Sequence, residues 1–171
     1  MPTEGPLAED AGWVPFESDT VKNIEFGVKG ALADGTYYNL SYFMVDWDNP
    51  QLNTSTPVNG YYAVVNGDTA QINGFDVELS GSAGAIDWNV GYSNKNARLS
   101  SDFYTPADTP VLYARSGAKL PGSPDHTFNL NLAHTSYFGK TDDILSGMGM
   151  VNRLDLYAQS STRNYIGDNS A

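Results

Sequence analysis

Residues 23–32 read NIEFGVKGAL, with apolar side chains on alternate positions. Ile24 and Phe26 are apolar, whereas Glu25 and Lys29, on the alternate positions, are charged. Successive side chains of a β-strand point to opposite faces of the sheet. The alternation therefore predicts a strand with one apolar and one polar face.

The same alternation returns in five further segments. Their apolar residues are Tyr38, Leu40, Tyr42 and Met44; Phe75, Val77 and Leu79; Ile86, Trp88, Val90 and Tyr92; Phe128, Leu130 and Leu132; and Leu154 with Leu156. The six segments predict antiparallel strands of about ten residues, the length that a tilted strand needs to cross a bilayer. We therefore expect an all-β chain, a segment of an antiparallel transmembrane β-barrel. Six strands would close into too narrow a ring, so a larger barrel is expected.

The composition argues against several other classes of protein. A net charge of −11 over 171 residues would repel a phosphate backbone, so no nucleic-acid partner is expected. Cysteine is absent, which excludes disulfides and thiolate metal sites. No run reaches the roughly 18 apolar residues of a membrane helix. A barrel strand needs no such run, because it faces lipid with only every second residue.

The connections between the predicted strands alternate between short and long. Residues 33–36 (ADGT) and 81–85 (GSAGA) form short turns, whereas residues 49–60 and 99–125 are long and contain several prolines. Outer-membrane barrels have short periplasmic turns and long exterior loops, so the two long connections are expected outside. Aromatic girdles are expected near the strand ends, at Tyr37, Trp47, Trp88, Tyr137 and Phe138.

Enzymatic activity is not expected from this sequence. His126 and His134 lie eight residues apart on one predicted strand, about 26 Å, which is too far to share a metal ion. Asp76 and Glu78 have the spacing of paired acids on one face, but a water-filled lumen produces the same spacing. We therefore expect neither a metal site nor a cofactor.

Four segments resemble, in order, sequence motifs of TonB-dependent outer-membrane receptors. They are residues 17–30 (ESDTVKNIEFGVKG), 38–48 (YNLSYFMVDWD), 66–79 (NGDTAQINGFDVEL) and 120–126 (LPGSPDH). The third segment has Asp76 where the family usually has Glu. Together the motifs are spread over the chain from Glu17 to Leu132.

The resemblance implies a barrel of about 22 strands with an N-terminal plug domain, which imports a scarce ligand with energy transmitted by TonB. Residues 1–171 would be a partial barrel domain from the C-terminal half, with the plug domain and closing strands absent. The implied location is the bacterial outer membrane. Its lipid, the plug domain and TonB are the implied partners, the last two through regions outside this chain. The commonest ligand of the family is an iron chelate of the siderophore type; cobalamin and oligosaccharides are the other classes.

Two groups of residues form the candidate functional surface. The polar strand face would line the lumen and contact the plug through Glu25, Lys29, Asp76, Glu78, Arg153 and Asp155. In the long connection, flat aromatic surface and a forked cation suit catecholate, carboxylate or sugar ligands, at Phe103, Tyr104, Tyr113 and Arg115. Lys119 would supply the second positive charge of that connection.

Two alternatives stay open on the sequence alone. A secreted β-sandwich that binds carbohydrate would also be acidic, aromatic and rich in Gly and Asn. A small structural porin-like barrel would show the same alternation along its strands. A heated and an unheated gel lane would separate a barrel from a sandwich, because intact membrane barrels migrate anomalously until they are boiled.

Overall fold

The computed structural model describes residues 17–55, 62–104, 110–139, 147–164 and 166. The regular structure in these ranges is β-strand throughout: β1 (Thr20–Ala31), β2 (Tyr37–Asp48), β3 (Gln51–Ser55), β4 (Tyr62–Asn66), β5 (Thr69–Ala83), β6 (Ile86–Leu99), β7 (Phe103–Tyr104), β8 (Leu112–Ala114), β9 (His126–Phe138) and β10 (Met148–Gln159). In the part of the chain so described, no helix is long and apolar enough to cross a membrane.

Six of the strands form one antiparallel sheet in the order β1-β2-β5-β6-β9-β10. β3 pairs with β4 and β7 pairs with β8, so a small hairpin lies within each of the two long connections. The six predicted strands and the all-β fold are confirmed, and the sheet is open, as expected for part of a barrel. The two hairpins were not predicted, because their segments are short and carry no regular alternation.

The two predicted short turns join β1 to β2 and β5 to β6. Gly35 and Gly84 adopt positive φ angles of 85° and 64° there, which glycine tolerates without strain. In the first turn the backbone amide of Thr36 donates to Asp34 Oδ1 over 2.9 Å. This hydrogen bond lowers the pKa of the Asp34 carboxyl below its usual value.

The strand register places the apolar residues of all six segments on one face of the sheet. One row of this face runs, strand by strand, through Val28, Leu40, Val77, Tyr92, Phe128 and Ala158. The face is open to its surroundings: Phe26 is 68% exposed and Leu154 49%. The predicted parity is confirmed, whereas a β-sandwich would bury this face under a second sheet.

The apolar band crosses the sheet obliquely. On the first strand the large apolar residues run from Ile24 to Leu32, just past the end of β1, and are centred on Val28, whose row ends at Ala158 on β10. The large apolar residues of β10 on this face run from Met148 to Leu156 and are centred on Asn152, six residues away from Ala158. Six residues span roughly 20 Å, and five strand spacings of about 4.8 Å separate β1 from β10. The strands are therefore inclined by about 40° to the band normal, as in outer-membrane barrels.

At the strand ends that lead into the long connections, polar and apolar residues exchange faces. Above the apolar band, the next row on the same face holds Lys22, Asp46, Gln71 and Arg98. On the opposite face the neighbouring row holds Val21, Trp47, Ala70 and Leu99. Along most of its length the sheet therefore has one apolar and one polar face, and at this end the two faces exchange character.

The register corrects the predicted aromatic girdle. Trp88 and Phe138 lie on the apolar face, but Tyr37, Trp47 and Tyr137 lie on the other face, because each occupies the opposite parity in its strand. Proximity to a strand end was therefore an insufficient criterion. Tyr38 shares the apolar face with Trp88, and each of these two rings lies against a glycine on the strand opposite.

Candidate functional site

The six residues predicted for the lumen lie on one face, the face opposite the apolar band. They occupy three strands, and their side chains are exposed: Glu25 and Lys29 on β1, Asp76 and Glu78 on β5, and Arg153 and Asp155 on β10. Strands β6 and β9 lie between the second and third of these groups and contribute Asn89, Asn129 and Asn131 to the same face. We call this surface the polar face.

Asparagine amides hold two of its carboxylates in place. Asn89 Nδ2 donates to Glu78 Oε1 over 3.1 Å, and Asn129 Nδ2 donates to Asn89 Oδ1 over 3.2 Å. Asn131 Nδ2 donates to Asp155 Oδ1 over 2.8 Å. Each carboxylate keeps further acceptor positions, because an ionised carboxylate offers about four lone pairs. The polar face can therefore accept hydrogen bonds from a protein that packs against it.

A recess of about 460 Å³ lies on the polar face near the short-turn end. Lys29 on β1, Asn39 on β2 and Glu78 on β5 lie in one row across its floor, and Tyr37 and Ser80 continue the lining. A cation, an anion and an amide thus stand side by side with a phenol ring. Such a lining suits a polar protein segment that carries charges of both signs.

The strand ends at the long connections are tied together by Asn66. Its Nδ2 donates to the backbone carbonyls of Glu17 and Asn49 over 3.0 and 2.9 Å, and its Oδ1 accepts from the Glu17 amide over 2.6 Å. Next to it, Trp47 Nε1 donates to Asp19 Oδ2 over 2.7 Å. Asn66, Glu17 and Trp47 come from three of the four sequence motifs, so those motifs meet at one place.

The described core of the chain lies at this same end. Its buried apolar residues come from β5 and β6, from both hairpins, from the connection after β8 and from the segment after β10. They are Leu52, Val65, Ala70, Ala97, Leu99, Phe103, Ala114, Leu120 and Ile166. Trp47, Ile72 and Tyr113 pack against them. The exchange of faces in this region is explained by this cluster, because the hairpins cover the inner apolar row.

The four residues predicted to bind a ligand divide into two pairs. Phe103 is only 2% exposed and its ring meets that of Tyr113 edge-on, with centroids 5.7 Å apart. These two rings pack the β7–β8 hairpin. Tyr104 is 50% exposed and Arg115 is also exposed, so both are accessible from outside the cluster. A role in ligand binding stays a prediction for all four.

Lys119 is not available as a second cation for a ligand, contrary to expectation. It is buried, and its Nζ lies 3.0 Å from Asp125 Oδ2 and donates to the Ser161 carbonyl over 3.1 Å. Arg98 approaches the same carboxylate oxygen at 3.6 Å. Sequence reasoning missed this cluster and the Asn66 contacts. The presence of Asn66 and Asp125 in two of the motifs was the only sequence signal for these contacts. A motif shows that a residue matters but does not show which atoms it contacts.

The comparison with protein families gives one match. The family model described as "TonB dependent receptor-like, beta-barrel" matches residues 3–171. No curated protein and no solved structure matches the chain. The four motifs, the oblique apolar band and the short-and-long order of the connections agree with the family match. The chain belongs to the TonB-dependent receptor β-barrel family, whose members are transport receptors of the outer membrane.

Proposed function

We propose that this chain forms part of the wall of a receptor that takes up an iron chelate of the siderophore type. The observation that supports it most directly is the chemistry of the two sheet faces: an apolar band suited to lipid, and a polar face that carries a recess. The TonB-dependent receptor family supplies the transport function. The exposed apolar face argues against the carbohydrate-binding sandwich, and the family match favours a transport receptor over a structural porin.

In this proposal the polar face lines the lumen and receives the plug domain of the same receptor. The recess beside Lys29 and Glu78 is the contact for charged plug side chains, and the asparagine bonds keep Glu78 and Asp155 oriented toward them. Charged groups that are held by neighbours lose less conformational entropy when a partner binds. Energy from TonB would reach the wall through the plug.

The ligand site is proposed at the exterior end, on Tyr104 and Arg115. The chain carries a net charge of −11, so an anionic chelate needs a local cation against the overall field. Arg115 is the exposed cation of its connection, because Lys119 is buried against Asp125. A guanidinium can bind two oxygens of a catecholate or carboxylate together, and the Tyr104 ring offers a flat apolar surface.

Binding titrations on the complete receptor test this proposal, with a ferric catecholate, a ferric hydroxamate, cobalamin and a linear oligosaccharide as probes. One iron chelate should bind. Arg115→Ala and Tyr104→Ala should each weaken that binding by roughly tenfold, a typical loss for an Arg or Tyr at the centre of a site. Arg115→Lys should also weaken it, because the planar fork is lost.

Lys22→Ala is the matched control, since it removes a cation from the outward-facing row of the wall. It should leave binding unchanged, and all variants should keep the anomalous gel migration of an unheated barrel. Binding of cobalamin or the oligosaccharide alone would replace the iron-chelate assignment. Full affinity in both Arg115→Ala and Tyr104→Ala would move the site away from this connection.

A further inference from the structure

Three separate connections contribute to one buried apolar cluster. The β3–β4 hairpin supplies Leu52 and Val65, and the β7–β8 hairpin supplies Phe103 and Ala114. The segment after β10 supplies Ile166, which is fully buried. All three belong to one buried cluster with Ala70 on β5 and with Ala97 and Leu99 on β6. We call these three connections together the cap.

Backbone hydrogen bonds fasten the cap to the wall and its parts to each other. The Leu99 amide donates to the Ala118 carbonyl over 2.9 Å, and the Leu120 amide donates to the Ala97 carbonyl over 3.0 Å. The Gly122 amide donates to the Arg163 carbonyl over 2.8 Å, which joins the connection after β8 to the segment after β10. These bonds are separate from the apolar cluster, so the connection after β8 is attached to the sheet in two ways.

A group of charges closes the same junction. Asp125 forms ion pairs with Lys119 and Arg98, and its backbone amide donates a hydrogen bond to Ser160 Oγ over 2.9 Å. Lys119 in turn donates to the Ser161 carbonyl. One buried lysine therefore ties the connection after β8 to the start of β9 and to the segment after β10. Removing Asp125 would leave the buried Lys119 charge without its ion-pair partner.

We propose that the cap is one cooperative unit fixed to the inner side of the wall, and that its two hairpins cannot open independently. Opening either hairpin would expose the apolar side chains of the other, because both bury their residues in the same cluster. A contact made at one exterior connection is therefore transmitted to the other. This coupling between the two hairpins does not depend on which ligand the receptor binds.

Hydrogen-exchange mass spectrometry of the complete receptor in lipid nanodiscs tests the coupling. Phe103→Ala removes a buried ring from the β7–β8 hairpin. If the cap is one unit, amide exchange should speed up by about tenfold or more in the β3–β4 hairpin as well as in β7–β8, since a buried Phe→Ala change is strongly destabilising. The reciprocal variant Leu52→Ala should speed up exchange in β7–β8.

Leu154→Ala is the control, because Leu154 lies on the apolar face of β10, far from the cap. It should leave exchange in both hairpins unchanged. If Phe103→Ala does not assemble into a heat-modifiable barrel, hydrogen exchange in both hairpins is measured with the smaller change Phe103→Leu instead. Faster exchange confined to the hairpin that carries the substitution, in both Phe103→Leu and Leu52→Ala, would show two independent loops and overturn the proposal.

Discussion

Gly74 on β5 has no room for a side chain. A Cβ at this position would collide with the backbone carbonyl of Asn94 on β6 and would lie 2.7 Å from the ring of Phe43 on β2. The Phe43 ring covers the glycine from the strand directly opposite. An aromatic ring over a cross-strand glycine restores the packing that the missing side chain would have given. This glycine belongs to the third sequence motif, and its role there is steric.

Gly74→Ala should therefore destabilise the folded barrel by about 1–3 kcal/mol, the usual cost of forcing extra volume into a packed site. Gly27→Ala on β1 is the matched control, because its Cβ would meet its nearest neighbour, the Leu40 carbonyl, at 3.4 Å. That change should cost less than about 1 kcal/mol. Reversible urea unfolding in lipid vesicles measures both values, and equal costs would show that the Phe43–Gly74 contact is not tight.

Within a strand, neighbouring residues meet different surroundings, and β5 shows this most directly. Val77 lies on the apolar face, whereas Glu78 lies on the polar face and is held by Asn89. Val77→Arg would place a charge in the lipid-facing band and should cost about 2–4 kcal/mol of folding free energy. Glu78→Arg, one residue further, should cost much less because that position is open to water or to the plug.

Unfolding of the two arginine variants in lipid vesicles, against the wild-type receptor, gives the comparison. Leu79→Arg, on the same face as Val77, serves as a second lipid-facing position. A cost at Glu78 as large as at Val77 would mean that the assignment of faces is wrong for this strand.

The strands could be predicted because each carries several residues of one clear alternation. Phe75, Val77 and Leu79 show the parity of their strand, and the short turns at Gly35 and Gly84 could be recognised from their residues. The exterior ends could not be predicted in the same way. There the apolar residues belong to the other face, so Trp47 was assigned to a girdle although it packs against the cap. Which face is buried depends on hairpins that are distant in sequence.

The sequence predicted which residue types the candidate site contains and which face they lie on, but not which residues they contact. The parity argument placed Glu25, Asp76 and Arg153 on one face, and the register agrees. For Phe103 and Lys119 the sequence showed an aromatic ring and a cation in a long connection but not their burial. Burial in this region is decided by tertiary contacts with Leu99 and Asp125, which local sequence does not encode.

The described sheet buries its core at one end and leaves its apolar face uncovered. Val28 is 55% exposed there, and its neighbours across the strands are open as well. A patch of this kind in water favours association with other chains, as do the two unpaired sheet edges. The 171-residue chain on its own in detergent-free buffer should therefore form aggregates rather than a stable monomer.

Size-exclusion chromatography with light scattering and a thermal unfolding scan measure this. Addition of a mild detergent should reduce the aggregates, because the micelle covers the apolar face. A monodisperse species with a sharp, cooperative transition in plain buffer would contradict the assignment of the apolar face to lipid.

The inclination of the strands has a consequence for anything that travels along the inside of the wall. Over a bilayer core of about 25 Å, a path inclined by about 40° to the strands crosses roughly three of them. A solute that starts beside Lys95 on β6 and descends straight toward the short turns passes Asp76 on β5, then Asn39 on β2, and arrives beside Ala31 on β1. The solute meets the strands in the order β6, β5, β2 and β1, which is the reverse of their order in the sequence. Residues that contact it one after another are therefore far apart in the sequence.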